Sequence, residues 1–261
     1  MIRYKTEEEI EVMKEGGRIH ARILKEVAKK VRPGVKTQEL NDYAEHLIDE
    51  ALCTASFLGY RPKDAKRPYP ASLCVSINEE IVHGIPSENV LFEGDIVTLD
   101  LGLTYGSTNS PQVKPMITDA AITVPVGKIS EEAIKLIQAT KEALEKGIKA
   151  MRVRGHIGDI GAAIMEVAVK YDFGIVEGLS GHGVGYDVHE EPFVPNKAER
   201  GEGSELRPGM VLAIEPMFSL GSREIKRLSD GYTYVTRDKS LSAHFEHTVA
   251  VTKSGIIVLT E

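Results

Sequence analysis

Apolar residues recur at helical spacing from the beginning of the chain. Ile10, Met13, Ile19, Ile23, Val27 and Val31 fall on one face, and Thr6-Glu-Glu-Glu9 ahead of them reads as a capping box. The spacing predicts a helix stopped by Arg32-Pro-Gly34, with Gly16-Gly17 inside it marking a close packing contact. Thr37-Gln-Glu-Leu40 opens a second helix that runs through Leu47, Ile48 and Ala51. Period-two patterning then predicts strands at Ser72 to Ile77, Asp95 to Leu103 and Ile117 to Val124. The cycle repeats. Ser130-Glu-Glu-Ala133 caps a helix carrying Ile134, Ile137, Leu144 and Ile148, which Arg152-Val-Arg-Gly155 ends. Asp159-Ile-Gly-Ala-Ala-Ile164 opens a shorter helix to about Tyr171, and strands follow at Met210 to Pro216 and Phe245 to Thr252.

Each half thus reads long helix, glycine turn, shorter helix, strands, with Glu39-Leu40 and Asp159-Ile160 in corresponding places. The expected architecture is an internally duplicated α+β fold in one domain spanning 1–261, with halves of about 6–124 and 125–261 and active groups between them. Two stretches interrupt the pattern: a basic, proline-bounded loop at 61–68 and a turn-rich connection at 104–116.

Composition narrows the function classes. The 261 residues are 42% apolar and 27% charged, ordinary for a globular chain. With 32 basic against 39 acidic residues the net charge is −7, which leaves no overall basic field for a nucleic-acid backbone. Two cysteines, Cys53 and Cys74, build no disulfide framework and fit a reducing compartment. The first residues lack an apolar signal core, and no run approaches the roughly 18 apolar residues of a membrane span. A cytoplasmic protein is expected.

The chemistry lies in carboxylates set among apolar positions. Asp100 shares a strand face with Ile96, Thr98 and Gly102, and Asp119 lies with Ala121 and Thr123. Glu215 and Glu246 sit within two later apolar runs read as strands. Taken singly, either aspartate reads as a strand-end carboxylate facing water. Four together in an interior need a common partner, the strands offer no matching arginines, and bound cations are the economical answer. Gly181-His-Gly-Val-Gly185 adds His182 on a flexible, close-approaching backbone, and Val82-His-Gly84 adds His83. His20, His46 and His156 read as packing or surface residues, and His247 points away from the face of Glu246.

His83-Gly-Ile-Pro86, Asp100, Asp119, Gly181-His-Gly183, His189-Glu-Glu-Pro192, Ile214-Glu-Pro-Met217 and Leu241-Ser-Ala-His-Phe-Glu-His-Thr248 together resemble the bacterial-type type I methionine aminopeptidases of peptidase family M24. The resemblance runs from about Thr6 to the end of the chain. It implies the pita-bread fold, an antiparallel curved sheet with helices outside, and a metal-dependent hydrolase that removes the first methionine from nascent chains, favouring a small second residue. Carried over by position, it implies Asp100, Asp119, His182, Glu215 and Glu246 as ligands of two divalent ions, Co, Mn, Fe(II) or Zn. It further implies His83, His189 and Glu215 as catalytic groups, with His83 and His189 also contacting substrate. Tyr60, Tyr69, Cys74 and Tyr232 would line the methionine pocket, with Phe57 and Val188 as weaker candidates. The loops at 61–68 and 104–116 depart from the family pattern, and Tyr232 stands where relatives often carry tryptophan.

Three other readings compete. An Xaa-Pro aminopeptidase or prolidase shares the fold but normally carries an additional N-terminal domain. A non-catalytic binding homologue is disfavoured by the complete ligand set. A type II enzyme is disfavoured by the short stretch between His189 and Glu215. The expected protein is a monomer acting on nascent N-termini, with the basic loop at 61–68 as a possible ribosome contact and no membrane partner.

Overall fold

The computed structural model describes residues 1–62, 65–106 and 114–261. Helix α1 (Glu7–Ala28) starts at the expected capping box: the Thr6 hydroxyl accepts from the Glu9 N–H, and the Glu9 carboxylate accepts from the Thr6 N–H. It ends earlier than the apolar spacing suggests. The N–H groups of Lys30 and Val31 donate to Val27 and Ala28 as tight i to i−3 bonds, closing the last turn before Pro33. Helix α2 (Thr37–Glu50) follows, then β1 (Thr54–Ala55), β2 (Leu73–Ile77), β3 (Glu80–Val82), β4 (Ile96–Tyr105) and β5 (Met116–Pro125). Next come α3 (Glu131–Ala150), capped by the Ser130 hydroxyl, and α4 (Ile157–Tyr171). The remaining elements are β6 (Gly174–Ile175), β7 (Gly181–Gly183), β8 (Glu190–Val194), β9 (Val211–Ile214), β10 (Met217–Ser219), β11 (Ile225–Arg227), β12 (Tyr234–Thr236), β13 (Ser242–His244), β14 (His247–Thr252) and β15 (Gly255–Val258).

All the strand pairs are antiparallel. β4 pairs with β1, β2 and, along its whole length, β5; a second sheet runs β15-β14-β9-β7-β8. Each sheet is covered on one face by two helices. Leu24, Val27, Leu40 and Ala44 of α1 and α2 pack on Val97, Leu99 and Leu101 of β4. Leu136, Ala143, Ile160 and Ile164 of α3 and α4 pack on Leu212, Ile214, Val249 and Val251. Strand alternation turns the intervening residues of β4, Asp100 among them, to the opposite face.

Among the described residues one backbone bridge joins the two sheets. Ala121 of β5 pairs with Glu246, whose N–H donates to the Ala121 carbonyl at 2.9 Å. Two strand assignments need correction there. Glu215 lies in the break between β9 and β10, and Glu246 in the break between β13 and β14, so neither is inside a regular strand. Pro216 accounts for the first break, because it has no N–H to continue a ladder.

The contact marked by Gly16 and Gly17 is present. A Cβ on Gly17 would lie 2.1 Å from the Leu259 carbonyl oxygen, and one on Gly16 would lie 2.6 Å from the Tyr105 Cβ. Only a bare backbone lets α1 approach that closely.

Candidate metal centre

Four carboxylates and one imidazole converge on the faces that the helices leave free. In the β4–β5 ladder Gly102 pairs with Asp119 and Asp100 with Ala121, which sets the two aspartates diagonally on one face. β7 brings His182 in from the second sheet. A Cβ on Gly181 would come 2.3 Å from the Ala213 carbonyl oxygen, and one on Gly183 would come 2.3 Å from that of Glu191. Gly181 and Gly183 supply close approach without positive φ, while Gly185 of the same run adopts the unusual dihedral, with φ of 142°.

One ligand atom from each of Asp119, His182 and Glu246 lies within 4.8 Å of the others, and His182 Nε2 stands 3.3 Å from Glu215 Oε1. Asp100 Oδ1, Asp119 Oδ1 and Glu246 Oε1 are buried with no hydrogen-bond partner. Burial pushes the Asp100 carboxyl up to about 7. Burial, reinforced by the neighbouring carboxylates, raises Asp119, Glu215 and Glu246 well above the usual range. Burial lowers His182 to about 3, so its imidazole is neutral. Its Nδ1–H donates to the Gly183 carbonyl at 2.9 Å, which leaves the Nε2 lone pair facing the carboxylates. Clustered acids without a counter-charge, orphaned oxygens and one neutral imidazole form a donor set that fits divalent cations.

The centre lies in a cavity of about 500 Å³ whose lining includes all five residues, His83 and His189. Its apolar wall includes Phe57, Tyr60, Tyr69, Cys74 and Tyr232, which pack in one cluster with Val188, a residue that does not itself line the cavity. The structure therefore brings together every residue assigned to the pocket. Tyr69 and Tyr232 meet edge to face at 5.1 Å, and the Tyr69 hydroxyl donates to the Gly84 carbonyl. Burial, with Asp100 nearby, holds the Cys74 thiol well above its ordinary value, so its sulfur serves as wall rather than nucleophile. The 61–68 loop is closed at its base by Tyr60 and Tyr69, and the Tyr232 hydroxyl donates to the Arg67 carbonyl. Positions 63 and 64 of that loop, and 107–113 of the 104–116 connection, lie outside the described residues.

His83 has φ of 60°, the left-handed region, and its ring meets that of Tyr234 at 6.0 Å. His189 lies 4.4 Å from His182, ring to ring. The four excluded histidines point elsewhere: His20 bonds Thr118 in the interior, His46 sits beside Glu50 at the surface, His156 caps α4, and His247 bonds Thr260. One residue escaped the sequence reading. His244 Nε2 stands 3.5 Å from Glu215 and 3.8 Å from Glu246, both its ring nitrogens are buried without partners, and burial lowers it to about 3. Its signal was the two-residue spacing from Glu246, which puts both side chains on one side of an extended chain.

Among the described residues no helix is long and apolar enough to cross a membrane. The profile of metallopeptidase family M24 matches residues 11–253. A methionine aminopeptidase of Aquifex aeolicus is 46% identical, over 98% of this chain and 97% of its own. Methionine aminopeptidase 1 of Bacillus subtilis is 41% identical, over 100% of this chain and 99% of its own. The crystal structure of methionine aminopeptidase from Thermotoga maritima superposes with a TM-score of 0.92 at 39% identity, covering all of both chains. With the pita-bread fold, and with acids and imidazole gathered as a metal centre requires, the chain belongs to metallopeptidase family M24.

Proposed function

We propose that this chain is a methionyl aminopeptidase. It hydrolyses the first peptide bond of nascent proteins to release methionine, with a preference for a small second residue. The observation that carries this reading is the junction of two unlike surfaces in one cavity: the Asp119–His182–Glu246 group opens onto the aromatic and thiol wall of Tyr60, Tyr69, Cys74 and Tyr232. A thioether side chain fits the wall, and the adjoining peptide bond then falls beside the acids.

Asp100, Asp119, His182, Glu215 and Glu246 would hold two divalent ions, of Co, Mn, Fe(II) or Zn. Such ions, when bound, polarise a carbonyl and ease deprotonation of water near neutral pH. The protein's own groups do the rest. Glu215 Oε takes the proton of the attacking water and passes it to the leaving amine. His189 donates to the oxygen that gains charge. With the Tyr60 hydroxyl, 2.8 Å from its Nδ1, as the donor of that bond, the ring proton stays on Nε2. His83, neutral because burial lowers it to about 4, contacts the scissile amide.

The same reading takes residues 1–261 as one catalytic domain with related halves, about 6–124 and 125–261. It takes the protein as a cytoplasmic monomer acting on chains as they leave the ribosome. Lys63, Lys66 and Arg67 of the basic loop are the contact toward ribosomal RNA. The discriminating assay compares Met-Ala-Ser with Xaa-Pro peptides on the metal-loaded protein. Methionine release is expected and should vanish in Glu246→Gln; a preference for Xaa-Pro peptides would contradict the assignment.

A further inference from the structure

Asp119 lies in β5 and Glu246 in the break between β13 and β14, outside the sheet of β5, and among the described residues the backbone joins the two segments directly at one pair, Ala121 with Glu246. An antiparallel ladder would repeat this double exchange two residues away on each side, at Asp119 with Thr248 and at Thr123 with His244. Side chains take over at both places. The Thr248 hydroxyl accepts from the Asp119 N–H at 2.8 Å and donates to the Asp119 carbonyl at 2.7 Å. The Thr123 hydroxyl accepts from the His244 N–H at 2.9 Å and donates to the His244 carbonyl at 2.8 Å. The two bonds of each hydroxyl mirror those of the other across the Ala121–Glu246 pair. A hydroxyl has one proton and two lone pairs. Thr123 spends its proton on His244, so Thr98, 2.8 Å away, is the donor between those two threonines. The Thr248 backbone is itself engaged, its N–H by the Thr260 hydroxyl and its carbonyl by the Leu259 N–H. Thr98, Thr123 and Thr248 are all buried.

We infer that Thr248 and Thr123 are positioning residues of the metal centre. Their hydroxyls set the spacing of Asp119 and Glu246 across the seam without touching metal or substrate. This rests on the reading of Asp119 and Glu246 as ligands. Serine keeps the hydroxyl. Valine keeps the shape of threonine but leaves a buried N–H and carbonyl of a ligand-bearing segment unpaired, so the segment moves or pays for isolation.

The test is Mn(II) binding to the metal-free full-length protein, followed by calorimetry, with folding checked by near-ultraviolet circular dichroism. Thr248→Val and Thr123→Val should each weaken binding about 10-fold or more, the usual cost of losing support behind a ligand, and Thr248→Ser should stay close to the parent. Should Thr248→Val not fold, Thr123→Val and Thr248→Ser carry the comparison. Valine variants that melt earlier yet bind Mn(II) as the parent does would overturn the inference, leaving these hydroxyls as fold contacts only. Asp119→Asn separates the two levels. If it binds like the parent, the ligand assignment itself fails; if it loses binding while the valine variants keep it, only the seam inference does.

Discussion

The hydroxyl of Tyr60 lies 2.8 Å from Nδ1 of His189, joining the aromatic wall of the cavity to the imidazole that faces His182. Removing that hydroxyl frees His189 to turn and to change tautomer. Tyr60→Phe should lower kcat on Met-Ala-Ser about tenfold, near the 1.4 kcal/mol scale of one hydrogen bond, with a smaller change in KM. An unchanged kcat would show that His189 is held by other contacts.

A second tie reaches the same histidine from the opposite end of the chain. Lys5 Nζ pairs with Glu190 Oε2 at 2.6 Å, both side chains about 1% exposed. Glu190 Oε1 meanwhile accepts the N–H groups of Tyr186 and Asp187, which shapes the turn leading into His189. Breaking a buried pair by removing one partner leaves a charge without compensation, at a cost of about 3–5 kcal/mol. Arg3 remains 3.0 Å from Glu190 Oε1, so Lys5→Met should destabilise the fold by less than that full amount and lower kcat. Lys5→Met combined with Glu190→Gln should recover part of the stability in urea unfolding. A double variant less stable than Lys5→Met alone would contradict the pairing.

Much of this centre can be read from residue order, and the exceptions have physical causes. Asp100 and Asp119 are legible because a period of two places each on a definite strand face, and the β4–β5 register keeps those faces together. Glu215 and Glu246 were legible as buried acids but misplaced in regular strands, although the proline after Glu215 already marks a break. Lys5 with Glu190, and Thr248 with Asp119, leave no local trace, since each pair is far apart in sequence and made by tertiary packing. The pairing of Tyr69 with Tyr232 is equally long-range, and without the family resemblance both read as ordinary core.

Metal binding should release protons. In the metal-free protein burial holds Asp100 at about 7, so near neutral pH it retains part of a proton, and Asp119, Glu215 and Glu246 are raised too. A bound cation requires these groups ionised. Protons therefore bind the free protein more than the loaded one, and metal affinity falls as pH drops below about 7. His182 does not compete in that window, because burial keeps it neutral down to about 3. Calorimetric Mn(II) titrations in buffers of different ionisation heat should report net proton release at pH 7. Heats that do not depend on the buffer would contradict the burial argument.

Under the proposed function the buried acids and His182 form a working metal centre at the end of a methionine pocket. The most direct test of that reading is hydrolysis of Met-Ala-Ser by metal-free protein titrated with Mn(II), Fe(II), Co(II) and Zn(II). The account predicts negligible methionine release before addition and release that rises to saturation with at least one of these ions. Silence with all four ions in protein shown to be folded, or full activity without any, would contradict it.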